Sequence, residues 1–337
     1  MQKKVFDFLS SFGLMIIGVG LLFAFTVSFT PSGKQCRYRF PKSNPREQIG
    51  GDLDHNNFPP SRPTVPLAKN NVNFAATLTA FSAFVIDDKT NTVLYEKDAD
   101  NIRPLASITK LMSAIVLLDM SIKWDATTTV EEADCDTSSH HINPGEVLKL
   151  QDLWAVGLIG SSNSAIRTLV RASGLTIEEF VQKMNAKAKQ LGLNSLKFTD
   201  PTGLEAENVG SAKDVATLLE EALKNEKIAK TMNISEYYIT PLNKTKPRRV
   251  WSTNWLLTKW VPSDFDSKNI CGKTGYIGDS RYNFAVRVSD KAANPIIVVV
   301  MGSVSNESRF SEARDLADWT FEKYLWPNEE GYDGLTE

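Results

Sequence analysis

Net charge, cysteine and histidine are all scarce in this sequence, and each scarcity closes off a class of function. The 337 residues carry 38 Lys and Arg against 40 Asp and Glu, a formal charge of -2. So even a balance gives no electrostatic basis for gripping a nucleic-acid backbone. The three cysteines, Cys36, Cys135 and Cys271, are odd in number and far apart, which argues against a disulfide framework or a zinc knuckle. Cys271 reads as a small buried residue beside a strand. The three histidines are His55 and the His140-His141 pair, and none has the helical spacing to a second histidine and a carboxylate that a zinc peptidase needs. Internal repeats are missing too. What remains is an ordinary globular composition, 42% hydrophobic and 23% charged, enough for one large core with appendages.

Residues 1–30 break that pattern. Lys3 and Lys4 precede an uncharged apolar run over 12–29. As a helix at 1.5 Å per residue the run is about 27 Å long, just enough to cross a bilayer. Its length and Phe29 favour a retained transmembrane anchor; the rival is a cleaved signal segment, with Thr26-Val27-Ser28 as a passable cleavage site. Lys34, Arg37, Arg39 and Lys42 make the far side as basic as the near one, so charge does not settle orientation. Residues 31–72 hold seven of the fifteen prolines, without periodicity. They read as a flexible linker that, at roughly 3 Å per residue, holds a domain well away from the bilayer.

The folded domain is expected over 73–327, with a short acidic tail at 328–337. Residues 81–87 and 92–97 read as a β-hairpin, and 101–122 as a loop and helix. The next stretch, about 140 residues, reads as mostly helical, with helices over 150–159, 165–172, 176–191 and 211–224; Ser211-Ala212-Lys213-Asp214 is a plausible cap. Strands return over 271–276, 282–289 and 296–301, and a helix over 311–324 closes the chain. Strands at both ends with helices between them imply an α+β architecture, a mostly antiparallel sheet from both chain ends packed with a helical lobe. A cleft at that junction is the natural site.

The stretch that organises the chain is Pro104-Leu105-Ala106-Ser107-Ile108-Thr109-Lys110-Leu111-Met112. Ile108, Leu111, Met112, Ile115 and Leu118 recur at helical spacing, and Pro104 stands where a helix start tolerates it. Ser107 and Lys110 then share a face and come within hydrogen-bond reach. A serine hydroxyl is a weak nucleophile and a lysine is a base only when deprotonated. A site using both must lower the lysine pKa by burial, by the helix dipole or by a second cation. A Ser-x-x-Lys string occurs about once by chance in a chain of this length. Two later strings give it weight: Ser161-Ser162-Asn163 after Gly160, and Lys273-Thr274-Gly275 after Gly272. Each alone is bland, an interhelical turn with a cap and a strand end with a glycine turn.

Together the three strings resemble the Ser-x-x-Lys, Ser-x-Asn and Lys-Thr-Gly motifs of the penicillin-binding proteins and serine β-lactamases. Further strings extend the likeness: residues 184–193, Asp200-Pro201-Thr202-Gly203-Leu204, Asn254-Trp255-Leu256-Leu257 and residues 272–276. Over residues 81–326 the chain resembles the D-alanyl-D-alanine carboxypeptidase and endopeptidase family, the low-molecular-mass penicillin-binding proteins. The resemblance implies a serine β-lactamase-like fold and an acyl-enzyme on Ser107, with Lys110 as its base. The backbone N–H of Ser107 is one oxyanion donor, and the resemblance adds that of Tyr276 as the second. Ser161 is expected to relay a proton between Lys110 and the leaving amine, and Asn163 to hold Lys110 and the substrate backbone. On a strand, Lys273 and Gly275 face one way and Thr274 the other. Lys273 is expected to attract an anionic substrate and keep Lys110 neutral, and Gly275 to leave room for a peptide laid along the strand. The resemblance assigns Arg309, ten residues before Trp319, to the terminal carboxylate of the peptide.

The implied activity is an extracytoplasmic serine D,D-peptidase acting on peptidoglycan stem peptides, as carboxypeptidase or cross-link endopeptidase. β-Lactams would be its covalent inhibitors, with no metal or organic cofactor. The membrane is the other implied partner, the N-terminus lying inside and the catalytic domain outside the cytoplasm, or free of the membrane if the N-terminus is cleaved. Three departures stand out. Ser164 replaces the usual Asp, and Asp279-Ser280-Arg281 replaces a small Ala-Gly pair, which bears on substrate preference. No C-terminal β domain or amphipathic anchor is expected, so tethering falls to the N-terminal helix. The rival enzyme is a β-lactamase, disfavoured because no Glu-x-x-Leu-Asn string lies between the second and third motifs. A non-catalytic penicillin-recognising or wall-binding module is the rival of another class, and the intact motifs count against it.

Overall fold

The computed structural model describes residues 64–69, 73–136, 141–327 and 329–333. The apolar run at 12–29, most of the linker, Cys36, His55, His140 and the end of the acidic tail lie outside them, as does all of the contact unit Met1–Pro59. Among the described residues no helix is long and apolar enough to cross a membrane.

In the unit from Pro60 onward, strand β1 (Leu67–Ala68) is followed by the hairpin of β2 (Ser82–Asp87) and β3 (Val93–Lys97), and by the short β4 (Arg103–Pro104). A single 3-10 turn, Ala106–Thr109, leads into α1 (Lys110–Leu118). Then come β5 (Thr127–Thr129), β6 (Val147–Lys149), α2 (Leu150–Ile159), α3 (Asn163–Ala172), α4 (Ile177–Gln190), β7 (Val209–Gly210), α5 (Ala212–Leu223) and α6 (Glu226–Met232). The chain returns to strand with β8 (Glu236–Ile239), β9 (Arg248–Trp251), β10 (Cys271–Ile277), β11 (Arg281–Ser289) and β12 (Pro295–Ser303), and closes with α7 (Ser308–Lys323) and β13 (Tyr324–Leu325).

The main sheet runs β10-β11-β12-β2-β3, antiparallel throughout, so strands from both chain ends share it as the sequence implied. Its middle strand explains its own composition. β12 reads Pro-Ile-Ile-Val-Val-Val-Met because both of its faces are covered. Ile296, Val298 and Val300 join Phe310, Leu316 and the rest of the α7 face, whereas Ile297, Val299 and Met301 join the core of the helical lobe. α5 lies across that second face, and α1 sits inside the lobe between α4 and α5. Thr176 starts α4 with a reciprocal bond to Glu179, and the Ser211 hydroxyl accepts from the N–H of Asp214 at the head of α5.

Three boundaries differ from the sequence expectation. The region after α1 is not all helix: β5 pairs with β6, and β8 with β9. The second hairpin carries a period-2 signal, with Tyr237, Ile239 and Val250 turned into the lobe and Tyr238 and Trp251 exposed. α7 begins at Ser308 rather than 311, because Ser305 and Ser308 exchange side-chain and backbone hydrogen bonds of 2.9 and 3.0 Å there. The end of the expected linker is ordered into the fold, since Leu67 and Ala68 pair with Leu325 and Tyr324, and Tyr332 Oη donates to Val65 O at 2.6 Å.

Edge and centre of this sheet differ in sensitivity. Val298→Ala, at a fully buried site in the middle strand, should cost about 2–3 kcal/mol, and Val93→Ala, 49% exposed on an edge strand, less than about 0.5 kcal/mol. Urea unfolding of the two variants checks this; equal midpoints would mean that the middle strand is not the packed centre.

Candidate active site

Three segments converge on β10: the turn before α1, the loop between α2 and α3, and the loop 200–208. They enclose a cavity of about 240 Å³ lined by Ser107, Ser161, Asn163, Thr253, Thr274, Tyr276 and Arg309, with Gly203, Leu204 and Ile277. All nine residues nominated from the sequence gather at or around it, although Lys110, Lys273 and Gly275 are buried and not part of its lining.

Ser107 does not sit on a continuous α-helix. It lies in the 3-10 turn, whose three-residue period eclipses positions i and i+3 and so places Lys110 directly over it. Ala106, just before it, is a non-glycine residue with φ +50°. Such a conformation costs about 1–3 kcal/mol and persists only where the surroundings impose it. Here they do. Leu105 N–H donates to Asn208 O at 2.8 Å, and Asn283 Nδ2 donates to Pro104 O at 2.9 Å and Leu105 O at 3.2 Å. Backbone presses in from both sides: a Cβ on Gly203 would stand 1.8 Å from Ala106 O, and one on Gly275 2.5 Å from Leu105 O. This revises the role expected of Gly275. Its missing side chain makes room for the nucleophile turn, not for a ligand.

Lys110 is fully buried, and its Nζ meets Ser107 Oγ at 2.8 Å, Asn163 Oδ1 at 2.5 Å and Thr202 O at 2.7 Å. Burial pulls its pKa down to about 7, with Arg167 adding to the fall and Asp200 and Asp136 opposing it. Of the three partners only the serine can donate. Asn163 Oδ1 and Thr202 O take two N–H bonds, so the lone pair of the neutral amine is left to face Ser107 Oγ.

The carbonyl of Thr202 is aimed by Asp200, which sequence reading noted only as part of a string. Asp200 Oδ1 accepts from the N–H groups of Thr202 (2.6 Å) and Gly203 (2.9 Å) and from Thr202 Oγ1 (2.5 Å), while Oδ2 accepts from Glu205 N–H (2.9 Å) and Asn208 Nδ2 (2.5 Å). Burial would raise its pKa, but the bonds from Thr202, Glu205 and Gly203 outweigh it and hold the carboxyl below its ordinary value. Pro201 O in the same loop accepts from Ser113 Oγ on α1 at 2.6 Å, tying the loop to the helix that carries Lys110.

Ser162 and not Ser161 caps α3, accepting from Ala165 N–H at 3.3 Å, so Asn163 begins the helix with its amide turned inward to Lys110. Ser161 has φ +58° and its Oγ accepts from Lys273 Nζ at 2.7 Å. The expected link from Ser161 to Lys110 is therefore made to the other lysine. Lys273 is fully buried, and its Nζ also reaches Thr274 O at 3.0 Å. Burial first, then the charges of Lys110 and Arg309, push its pKa well below the ordinary lysine value. Burial also outranks any charge in lowering Lys110, and the cation that adds to the fall is Arg167, not Lys273 as expected.

Thr274 turns the other way along β10, into the cavity, and its Oγ1 shares a 2.8 Å hydrogen bond with Thr253 Oγ1. Thr253 had no sequence signal beyond lying next to Asn254. Tyr276 is 54% exposed and stacks on Tyr282 with ring centroids 4.3 Å apart. Arg309 lies in the cavity wall, with Nη1 donating to Gly275 O at 3.0 Å and Nη2 to Asn306 Oδ1, while its Nε has no partner. Burial lowers its pKa to about 10. Trp319 packs away from the site against Phe74, Tyr95 and Tyr324. Cys271 is a free, buried thiol, as expected, donating weakly to Ala229 O at 3.5 Å.

A five-stranded antiparallel sheet and a helical lobe, with a buried lysine on a serine hydroxyl where they meet, define a serine D,D-peptidase of the penicillin-binding class. The Streptomyces K15 DD-transpeptidase crystal structure superposes with a TM-score of 0.66 at 23% identity, covering 74% of this chain and 100% of that one. The D-alanyl-D-alanine carboxypeptidase from Mycobacterium tuberculosis H37Rv gives 0.67 at 24%, covering 77% and 97%. The chain belongs to the D-alanyl-D-alanine carboxypeptidase family, whose profile matches residues 69–305. It is 30% identical to the D-alanyl-D-alanine endopeptidase of Escherichia coli K12 over 71% of this chain and 76% of that protein. To the D-alanyl-D-alanine carboxypeptidase DacF of Bacillus subtilis 168 it is 31% identical over 73% and 63%.

Asp200→Asn removes a charge that five donors surround, so it should cost about 2–4 kcal/mol at pH 7. Because the folded carboxyl titrates below its ordinary value of 3.8, the wild-type advantage is present above that pH and lost as the pH falls below it. Thermal unfolding of both proteins between pH 7 and pH 3 tests this; a difference that stays constant would mean Asp200 stabilises by shape and not by charge.

Proposed function

We propose that this protein is a membrane-tethered serine D,D-peptidase that hydrolyses D-alanyl bonds of peptidoglycan stem peptides outside the cytoplasm. The observation that carries the reading is the pair of acceptor-only groups, Asn163 Oδ1 and Thr202 O, that leave the Lys110 amine facing Ser107. With a pKa near 7 that amine is both deprotonated often enough and basic enough to take the serine proton. Ser107 Oγ attacks the carbonyl of the penultimate D-alanine as its proton passes to Lys110, and the N–H groups of Ser107 and Tyr276 receive the oxyanion. The tetrahedral adduct then collapses, breaking the C–N bond, and the leaving amine takes the proton that Lys110 accepted, with Ser161 beside its path, which leaves the lysine neutral again. Water, activated by Lys110, later hydrolyses the ester and restores Ser107.

β10 is an edge strand of the sheet, so a peptide can add alongside it, with Thr274 and Tyr276 facing the cavity. The terminal carboxylate would sit toward Thr274, near the buried cations Lys273 and Arg309. An arriving anion would raise the pKa of Lys273 and hold it protonated, because charge neutralisation offsets the burial that disfavours its cation. Residues 12–29 would form the anchor, with the N-terminus inside and the catalytic unit beyond the linker. Supporting this reading over a β-lactamase are the family match and relatives named for carboxypeptidase and endopeptidase activity.

Fluorescent penicillin should label the full-length protein at Ser107, as mapped by mass spectrometry, and Ser107→Ala should abolish the label; an adduct surviving that change would sink the proposal. The acylation rate constant should fall about tenfold for each pH unit below about 7, as Lys110 takes up its proton, and level off above it. A profile that is flat from pH 5 to pH 8 would remove Lys110 from the role of base.

A further inference from the structure

Thr253 enters the cavity from the segment after β9, and its backbone is braced on both sides. Ser252 N–H donates to Ser235 O at 2.8 Å and Thr253 N–H to Ile159 O at 3.1 Å. The buried Asn254 holds the turn that follows, its Oδ1 accepting from Leu256 N–H at 3.1 Å and Leu257 N–H at 3.3 Å. Ile159 ends α2 just before the Ser161 loop, so the backbone of Thr253 is tied to the second motif. Its side chain is tied to the third: Thr274 Oγ1 donates to Thr253 Oγ1 at 2.8 Å.

A threonine hydroxyl has a single hydrogen. That of Thr274 is spent on Thr253, and among the described residues no acceptor takes that of Thr253. The hydroxyl left to serve a ligand is therefore the one outside the Lys-Thr-Gly string. Accepting one hydrogen bond also makes a hydroxyl a stronger donor of the next, so Thr274 polarises the Thr253 O–H. The surroundings select an anion as its acceptor. None of the ten residues that line the cavity is acidic, Arg309 is one of them, and Lys273 lies buried against Ser161, another. An anion there accepts a charge-assisted bond from a donor already held in place.

We propose that Thr253 is a specificity-determining residue that donates its hydroxyl hydrogen to the terminal carboxylate of the substrate, with Thr274 behind it as a positioning residue. The inference rests on the D,D-peptidase reading and on the direction of β10. One residue separates the attacked carbonyl from the terminal carboxylate, about 3.4 Å along an extended chain. With that carbonyl on the N–H of Tyr276, a peptide antiparallel to β10 brings its carboxylate level with Thr274 and within the reach of Thr253, both of which line the cavity. An amide in place of the carboxylate accepts only a neutral bond from the same hydroxyl.

The test uses full-length protein and competition with fluorescent penicillin for Ser107, which reports peptide binding whether or not the peptide turns over. The probes are an N-acetylated peptide ending in D-Ala-D-Ala and its C-terminal amide, each scored by the concentration that halves the labelling rate. Thr253→Val keeps the shape and removes the hydroxyl. It should raise that concentration about tenfold for the carboxylate peptide and about threefold or less for the amide. Thr253→Ser restores the hydroxyl and should stay within about twofold of wild type on both. Thr274→Val removes only the bond that polarises Thr253 and should cost the carboxylate peptide about threefold. The preference is a ratio of two peptides within each variant, so a general loss of activity does not imitate it. Three results overturn the assignment: a preference in Thr253→Val as strong as in wild type, an equal loss in Thr253→Ser, or a larger loss in Thr274→Val than in Thr253→Val. Absence of any penicillin adduct on Ser107 in the wild type overturns the D,D-peptidase reading instead, and the assignment with it.

Discussion

The burial of one amine is the constraint on which the rest of the site depends. A protonated lysine sealed inside a protein carries a desolvation penalty of several kcal/mol unless charge and hydrogen bonds compensate it. Lys110 is surrounded by hydrogen-bond acceptors, but no carboxylate contacts it; Asp200 acts only through the loop it shapes and the field it casts. Burial pulling one way and that field the other leave the amine balanced near pH 7. A direct ion pair would have kept it charged and useless as a base. Without Asp200 the same burial would leave it too weakly basic to take a proton from serine.

The same economy governs the turn that presents Ser107. Ala106 is held in a left-handed conformation by contacts from the 200–208 loop, from β10 and from β11, none of which is near it in sequence. Asn283 is central to that clasp. Its Nδ2 holds the carbonyls before the nucleophile, and its Oδ1 accepts from Gly302 N–H at 2.9 Å. One buried amide thus ties the nucleophile turn to the second and third strands of the sheet. Arg309 adds α7 to the assembly through Gly275 O and Asn283 O. The site is rigid because its strained parts are cross-braced by elements whose own packing is complete.

Long-range closure accounts for the spacing of the motifs. Asn163 meets Lys110 across 53 residues, and Lys273 meets Ser161 across 112. The helical lobe folds between the halves of the sheet and delivers α3 to the face where β10 ends the sheet. The cavity therefore exists only when lobe and sheet are docked, and a ligand along β10 touches both.

Much of this was open to reading from residue types and spacing. Period-2 and period-3.6 patterns marked the main strands and most helices, because each element must bury a face and the alternation records which one. Ser107, Lys110, Asn163 and Lys273 were legible since hydroxyl, amine and amide at those spacings have few other uses in combination. The contributions of Asp200, Thr202, Thr253 and Asn283 were not. Thr202 acts through a backbone carbonyl, which no side chain advertises, and Asn283 sits in a strand where an amide looks like any polar residue. Nor does spacing say that Gly275 yields to Leu105 O, or that Ser161 turns to Lys273 instead of Lys110. The sequence by itself determined which chemical groups were available and on which elements they ride. Tertiary structure alone decided the distances between them, the depth to which each was buried and therefore which amine stays neutral, because solvation and field depend on neighbours that the chain brings together only by folding.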